Sequence, residues 1–486
     1  MSSIKKNFGY QAFYEVLILM LPLFTSPYIS RVLGAEGVGV NSYYYSIANY
    51  FVLFAMLGIK NHGNRLISTV RNDKERLNKE FSSLLLLHIS FSVVVLAAYI
   101  VYCLCAVEPQ DRLYALIQGI YVVAAVFDIN WLFFGLEQFK LTVTMSSIVK
   151  ILTVASIFIF VREKSDLWKY VLIMALGNAI SQSLVWIYLN RYVKCIRVKI
   201  ADLIVHIKPL LILFIPVLAV SIYKIMDKIM LGQMTSKTEV GYYENAEKII
   251  TIFNTVISAF GTVMLPRMNH LFALGDTKTG FKYLNRSMQY ILIFTYALAF
   301  GTSAIAQKFA CWFWGDEFIG SGAVLIVLVF TLPFVAFASV IRMQYLIPMH
   351  KDKEYIISVI GGAVINVVIN ILLIPQFNAL GAAIGTICAE VFVCIFQCFC
   401  VHKEVPVFKY MAKSIPFAFA GLIMFAVVTL LGWLLPIESL FISLLIQIIS
   451  GGLIYSVLTL VILILKKDEL VSGIQKRIKG KKNEIK

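Results

Sequence analysis

About fourteen stretches of roughly twenty mostly apolar residues, separated by short polar punctuation, take up most of this chain. They run approximately over 10–32, 41–59, 82–106, 113–136, 141–161, 167–189, 209–232, 241–265, 288–309, 321–347, 355–375, 379–400, 412–435 and 439–465. A run of that length is what a helix needs to cross the hydrocarbon core of a bilayer. The apolar residues are continuous and do not alternate with period two, so the spans are helices and not the strands of a barrel. Of the 486 residues, 60% are hydrophobic and 14% charged, against about 25% charged in a soluble domain. The expected class is an all-α integral membrane protein with about 14 transmembrane helices. The first run is too long for a signal-peptide core and lacks a small-residue cleavage site, so it is expected to remain as the first span.

The net charge of +16 would suggest nucleic acid as a partner in a soluble domain. Its distribution points elsewhere. When the loops are numbered alternately, one set carries Arg71, Lys74, Arg76, Lys79, Arg197, Lys199, Lys282, Arg286, Lys351, Lys353 and a tail cluster from Lys466 to Lys486. The other set has only Arg31, Arg112, Arg162, Lys164, Lys169, Lys237, Lys248 and Lys308. The positive-inside rule then places both termini in the cytoplasm, which requires an even number of spans. The basic tail is expected to rest on anionic headgroups. The longest loops, around 60–81 and 190–208, are about twenty residues of mixed charge, too short to fold as domains. No Walker A loop, metalloprotease motif or supported Ser/His/Asp set is present, so no catalytic residue, metal or cofactor is expected. The eight cysteines read as small buried hydrophobes apart from Cys195 in a cytoplasmic loop. His62, His206, His270, His350 and His402 read as interfacial residues.

A weak internal repeat links two segments. "LPLFTSPYISRVLGAEGVGVNSYYYSIANY", from Leu21, and "IPVLAVSIYKIMDKIMLGQMTSKTEVGYYENAEKI", from Ile215, share an early proline, a Leu-Gly, then a Val-Gly and tyrosines opening the next helix. Aligning Gly34 with Gly232 brings Arg31 within one residue of Lys228. Two pseudo-symmetric six-helix lobes follow, an N-lobe over 1–206 and a C-lobe over 207–405, with two further helices and the tail in 406–486. Such repeats put a substrate site at the interface between lobes.

Charges within the spans are the candidate site. Asp128, in "FDINWLFFGLEQFK", lies about 12 Å from the cytoplasmic end of the fourth helix, and Lys150 lies about 13 Å deep on the fifth. Each alone would cost about 2.5–3.5 kcal/mol at the membrane centre. Either an Asp128–Lys150 ion pair locks the hairpin or both face a hydrated cavity. Glu137 and Lys140 mark the turn at the water interface. On the seventh helix Lys224, Asp227 and Lys228 fall at i, i+3 and i+4, on one face of its outer half. Lys228 can snorkel outward, but Lys224, about 12 Å from Gly232, is less able to, which favours an outer cavity with surplus positive charge. Glu390 is either a protonated core carboxylate or an ion-coupling site. Asn366 and Asn370 read as helix-packing hydrogen bonders.

Four segments also carry a family resemblance: "LPLFTSPYISRVLGAEGVGVNSYYYSIANYF", "FDINWLFFGLEQFK", "SIYKIMDKIMLGQMTSKTEVGYYENAEKI" and "NVVINILLIPQFNALGAAIGTICAE". Together, in this order and on these helices, they resemble the bacterial polysaccharide repeat-unit flippases of the multidrug/oligosaccharidyl-lipid/polysaccharide exporter superfamily. No single motif is diagnostic. The resemblance spans essentially the whole chain and implies two six-helix lobes around a central cavity, in a bacterial plasma (inner) membrane. It implies as substrate an oligosaccharide on undecaprenyl pyrophosphate, moved from the cytoplasmic to the outer leaflet by alternating access for capsule or O-antigen type polysaccharide. Membrane lipids and polysaccharide polymerase machinery are the further partners expected. Arg31, Lys150, Lys224 and Lys228 would then form a cationic passage for the pyrophosphate while the polyprenyl tail stays in lipid. Asp128, Asp227 and Glu390 would be charge partners or ion-coupling groups. A drug/cation antiporter would instead present carboxylates as its main polar feature, and the excess lysine argues against it. A polymerase or ligase would need a sizeable extracytoplasmic loop, which the sequence lacks.

Overall fold

A backbone in hydrocarbon must satisfy its N–H and C=O groups within its own segment, so apolar runs become helices. The computed structural model describes residues 2–434 and 438–467, with side chains from Tyr14 on except those of Glu15, Pro216, Tyr223 and Lys224; among them every regular element is helical. In chain order these are α1 (Ser2–Met56), α2 (Ile59–Val70), α3 (Lys74–Cys105), α4 (Arg112–Val126), α5 (Asn130–Gly135), α6 (Phe139–Phe160), α7 (Leu167–Leu184), α8 (Leu189–Tyr192) and α9 (Ile200–Met234). Then come α10 (Lys237–Ala273), α11 (Thr277–Trp314), α12 (Ile319–Leu328), α13 (Thr331–Ile341), α14 (Asp352–Phe377), α15 (Ala379–Val401), α16 (Val407–Leu434) and α17 (Leu440–Leu465).

Twelve described helical stretches are long and apolar enough to cross a membrane, thirteen when the bent pair Asp316–Leu328 and Thr331–Leu346 counts as one span. The first stretch, Val16–Val70, contains a break: Gly34 stands at φ 71°, ψ 178°, a region open essentially to glycine alone. Each side of Gly34 is long enough for its own crossing. Splitting that stretch there raises thirteen to fourteen, and the expected all-α membrane fold is borne out.

The loops differ from the sequence reading. Residues 60–81 are not a loop but an amphipathic helix and the first turns of α3. In α2, Ile59, Gly63, Ile67 and Val70 fall on one buried face, while Lys60, Asn64, Arg65 and Thr69 point outward, the pattern of a helix lying along an interface. Asp73 then caps α3, its carboxylate accepting the Arg76 backbone N–H at 3.1 Å. The basic tail expected on the membrane surface lies, from residue 468 on, outside the described residues.

The described residues form two compact units, one within residues 1–245 and 370–379 and the other within residues 246–369 and 380–467. In the first, α1 packs on α3, α4, α6 and α9, α4 packs on α7, and α2 lies on α5. Trp131 of α5 is fully buried with its ring 5.5 Å from Phe81. Beside α2, His206 of α9 contacts His62 at 3.2 Å and Glu80 of α3 at 3.2 Å, and Lys79 pairs with Asp202 at 2.8 Å. In the second unit α11 is central, packed by α12, α13, α16 and α17. Tyr455 donates to the Ile293 carbonyl at 2.8 Å, and Lys308 donates to the Gly432 carbonyl at 3.0 Å near the end of α16, where a cation suits the helix dipole. These contacts fasten the last two helices to α11.

Candidate functional site

The Val-Gly pairs of the two repeats meet in the first unit. A Cβ on Gly39 would lie 1.6 Å from the Lys237 carbonyl oxygen and 3.0 Å from the Gly241 nitrogen. One on Gly241 would lie 2.1 Å from the Ala35 carbonyl oxygen and 3.3 Å from the Gly39 nitrogen. The contact is reciprocal, backbone against backbone, and only glycine admits it. Lys237 closes the same place from above, its ammonium 3.2 Å from the centroid of the Tyr43 ring and 3.2 Å from the Gly232 carbonyl.

A polar network lies behind this contact. Successive residues on a helix point about 100° apart, so Tyr243, Glu244 and Asn245 of α10 reach three different sets of partners. Tyr243 donates to Asp227 Oδ2 at 2.6 Å, and Asn370 of α14 donates to the other oxygen of Asp227 at 2.5 Å. Glu244 Oε2 accepts from Ser42 at 2.6 Å and from Lys228 at 3.1 Å. Asn245 donates to Ser30 at 2.8 Å and accepts from Ser26 at 3.4 Å. Asp227 is 2% exposed, and a carboxylate buried so far is tolerable only because hydrogen bonds replace its water.

Residues 4–272 match the family described as "Polysaccharide biosynthesis protein". The chain belongs to that family. Two relatives named "Putative O-antigen transporter" match it along most of their length. The one from Shigella dysenteriae is 25% identical over 386 residues, covering 78% of this chain and 95% of the relative. The one from Escherichia coli (strain K12) is 24% identical over 406 residues, covering 80% and 94%. Among solved structures, a lipid II flippase MurJ in an inward closed conformation has a TM-score of 0.75 at 18% identity, over 93% of this chain and 99% of its own. The fold is therefore that of MurJ, and the resemblance carried by the four sequence segments is borne out. Apart from Asn370, every residue of the polar network lies within the part that matches the polysaccharide biosynthesis family.

In this family member the site residues expected from sequence are dispersed. Asp227 and Lys228 both enter the network, but Lys228 is not a surplus cation, because Glu244 pairs with it. The Lys224 side chain lies outside the described residues. Arg31 is exposed on α1, three residues before the Gly34 break. Lys150 is half-buried on α6 and enters no ion pair among the described residues. The Asp128–Lys150 ion pair is not formed. Asp128 Oδ1 instead accepts the backbone N–H of Asn130 at 3.0 Å and its amide at 2.9 Å, and that amide also reaches Gln182 at 2.5 Å. The cause is a break in the fourth span between α4 and α5. Depth counted along a straight helix no longer applies, and the unsatisfied N–H groups that begin α5 capture the nearest carboxylate. Glu137 marks the following turn and pairs with the exposed Arg71 at 2.5 Å. Glu390 is half-buried on α15 without a hydrogen-bond or ion-pair partner among the described residues.

Sequence reasoning missed Glu244, Tyr243, Asn245 and Ser42, and gave Asn370 only a packing role. A signal for two of them was present. Ser42 stands three residues after Gly39 and Glu244 three after Gly241, and these equivalent positions bond to each other.

Proposed function

We propose that this protein moves undecaprenyl-pyrophosphate-linked oligosaccharide repeat units from the cytoplasmic to the outer leaflet of the bacterial plasma membrane by alternating access, for a surface polysaccharide of capsule or O-antigen type. The observation that carries this reading is a membrane-embedded polar network joining the two repeats in a member of a polysaccharide biosynthesis family. A closure held by single hydrogen bonds, each worth about 0.5–1.5 kcal/mol net, and one ion pair can open and re-form as an apolar core cannot. The names of the two O-antigen transporter relatives support the same substrate class.

On this proposal residues 1–206 form the N-lobe, 207–405 the C-lobe and 406–486 the appended helices and tail. Both termini are cytoplasmic by the charge asymmetry, so the closure around Gly39 and Gly241 is the outer one. Arg31, Lys150, Lys224 and Lys228 serve the pyrophosphate. Lys150 has no anion to give up among the described residues, and Lys228 exchanges Glu244 for phosphate oxygens. Glu390, an intramembrane carboxylate with no partner among the described residues, is the group assigned to ion coupling, ahead of Asp227, both of whose oxygens are occupied, and Asp128, whose Oδ1 is occupied by Asn130. Transport requires no covalent step by the protein. Deleting the gene tests the reading: complete repeat units should accumulate facing the cytoplasm and surface polysaccharide should fall. Unpolymerised units on the outer face would identify a polymerase instead.

A further inference from the structure

Three tyrosines on three helices of the first unit stand beside the network without joining it. Tyr45 on α1, Tyr121 on α4 and Tyr170 on α7 each keep part of the ring exposed, Tyr45 to 38%. Among the described residues no hydrogen-bond partner takes any of the three phenolic hydroxyls. The Tyr45 and Tyr121 rings meet edge to face, with centroids 5.1 Å apart. Helix α4, which carries Tyr121, packs on α7, which carries Tyr170; Tyr45 is within electrostatic range of Lys228 and Glu244, and Tyr170 of Glu244.

This exposure is not to lipid. Tyr45 follows Asn41 and Ser42 by four and three residues and shares their helix face. That face is committed to the interior of the unit, since Ser42 is bonded to Glu244 and Asn41 Oδ1 accepts from Gln118 Nε2 at 3.0 Å. Gln118 in turn precedes Tyr121 by three residues on α4. A ring exposed on such a face borders an internal space. Tyrosines placed inside a protein ordinarily find a partner for the hydroxyl, yet here three converge unsatisfied beside Asn41, whose Nδ2 also has no partner among the described residues.

We propose that this wall is a carbohydrate subsite, in which the Tyr45 and Tyr121 rings pack against the C–H face of a sugar while the hydroxyls of Tyr45, Tyr121 and Tyr170 and the Asn41 amide exchange hydrogen bonds with its hydroxyls. The inference rests on the transport reading above and adds the part of the substrate that this wall reads. Its chemistry selects among the three parts of a lipid-linked oligosaccharide. A pyrophosphate needs cations, and the four residues of the wall, Tyr45, Tyr121, Tyr170 and Asn41, supply none. A polyprenyl chain would leave every hydroxyl unsatisfied. A sugar ring offers apolar faces edged by hydroxyls, which matches aromatic rings edged by phenols and an amide. The subsite therefore discriminates between glycans and is indifferent to the lipid.

The test uses the full-length protein in detergent and two probes: undecaprenyl pyrophosphate without sugar, and the lipid-linked repeat unit extracted from the host strain lacking this gene. Tyr45→Ala and Tyr121→Ala should each weaken equilibrium binding of the glycosylated lipid by about tenfold and leave binding of the bare lipid unchanged. Tyr45→Phe and Tyr121→Phe, which keep the ring and so the fold, should show a smaller loss of the same selectivity. Unchanged binding of the glycosylated lipid by all four variants, or equal weakening of both probes, would overturn the subsite. If the wild-type protein binds neither probe, the transport reading itself fails and the subsite with it.

Discussion

Replacing Lys228 by methionine takes the ammonium away from the half-buried Glu244 carboxylate, which still accepts from the Ser42 hydroxyl. At 3.1 Å and an effective dielectric of about 20, the gross attraction between the two charges is about 5 kcal/mol. The side chains are only 13% and 19% exposed, so desolvation cancels much of that gain, and the intact pair adds little net stability. Removing one partner is different, because it takes the counter-charge from a largely buried group, at a cost of up to about 3–5 kcal/mol. Protonating an ordinary carboxyl at pH 7 costs about 4 kcal/mol, which caps the loss. Lys228→Met alone should therefore lower the thermal unfolding temperature of the detergent-purified protein clearly. Glu244→Gln alone should also lower it, and the Lys228→Met/Glu244→Gln double variant should lie above the sum of the two losses by a coupling of at least about 1 kcal/mol. A double variant whose loss equals that sum would mean that Lys228 and Glu244 are not energetically coupled and that their proximity is incidental.

Asp128→Asn and Lys150→Gln should each lower stability, and their losses should add within about 0.5 kcal/mol because the two side chains share no partner; a double variant markedly better than the sum would reinstate the ion pair. Gly39→Ala must push apart two backbones, since its Cβ would meet a carbonyl oxygen at 1.6 Å, and should cost at least the 1–3 kcal/mol typical of overpacking, about that range or more. Gly452→Ala, with nothing within 4 Å, is the control, and equal unfolding temperatures for the two would contradict the close crossing. In a cysteine-free background, single cysteines at Ser165 and Thr238 should react with an impermeant thiol reagent from outside intact cells and one at Asn72 should not; labelling of the Asn72 variant would reverse the orientation.

The spans and the repeat were legible because both are written in composition and order, which survive any detail of packing. Helix breaks within a span were not. The break at Gly34 falls where the sequence reading ends the first span, but the fourth span breaks after Phe127 inside a stretch read as continuous. That unread break moves Asp128 away from the depth that a straight helix gives. Asp227 and Lys228 were legible as charges too deep to ignore, but their partners were not. Glu244 stands only seven residues into α10, where a carboxylate reads as an interfacial residue. Only its position beside Lys228 and Ser42 shows that it turns inward. Tyr45, Tyr121 and Tyr170 gave no signal, because a tyrosine in an apolar helix looks the same whether it faces lipid, core or substrate.

Transfer of a lipid-linked oligosaccharide across a bilayer is measured most directly by its sidedness in reconstituted vesicles. Repeat-unit lipid extracted from the deletion strain is placed in the inner leaflet of proteoliposomes under imposed proton and sodium gradients, and periodate, which attacks sugar diols and is excluded from the lumen, is added outside. Vesicles containing the protein should expose sugar to oxidation over time, while protein-free vesicles keep it protected. Equal protection in both sets, with the protein folded and correctly oriented, would contradict transfer by this protein.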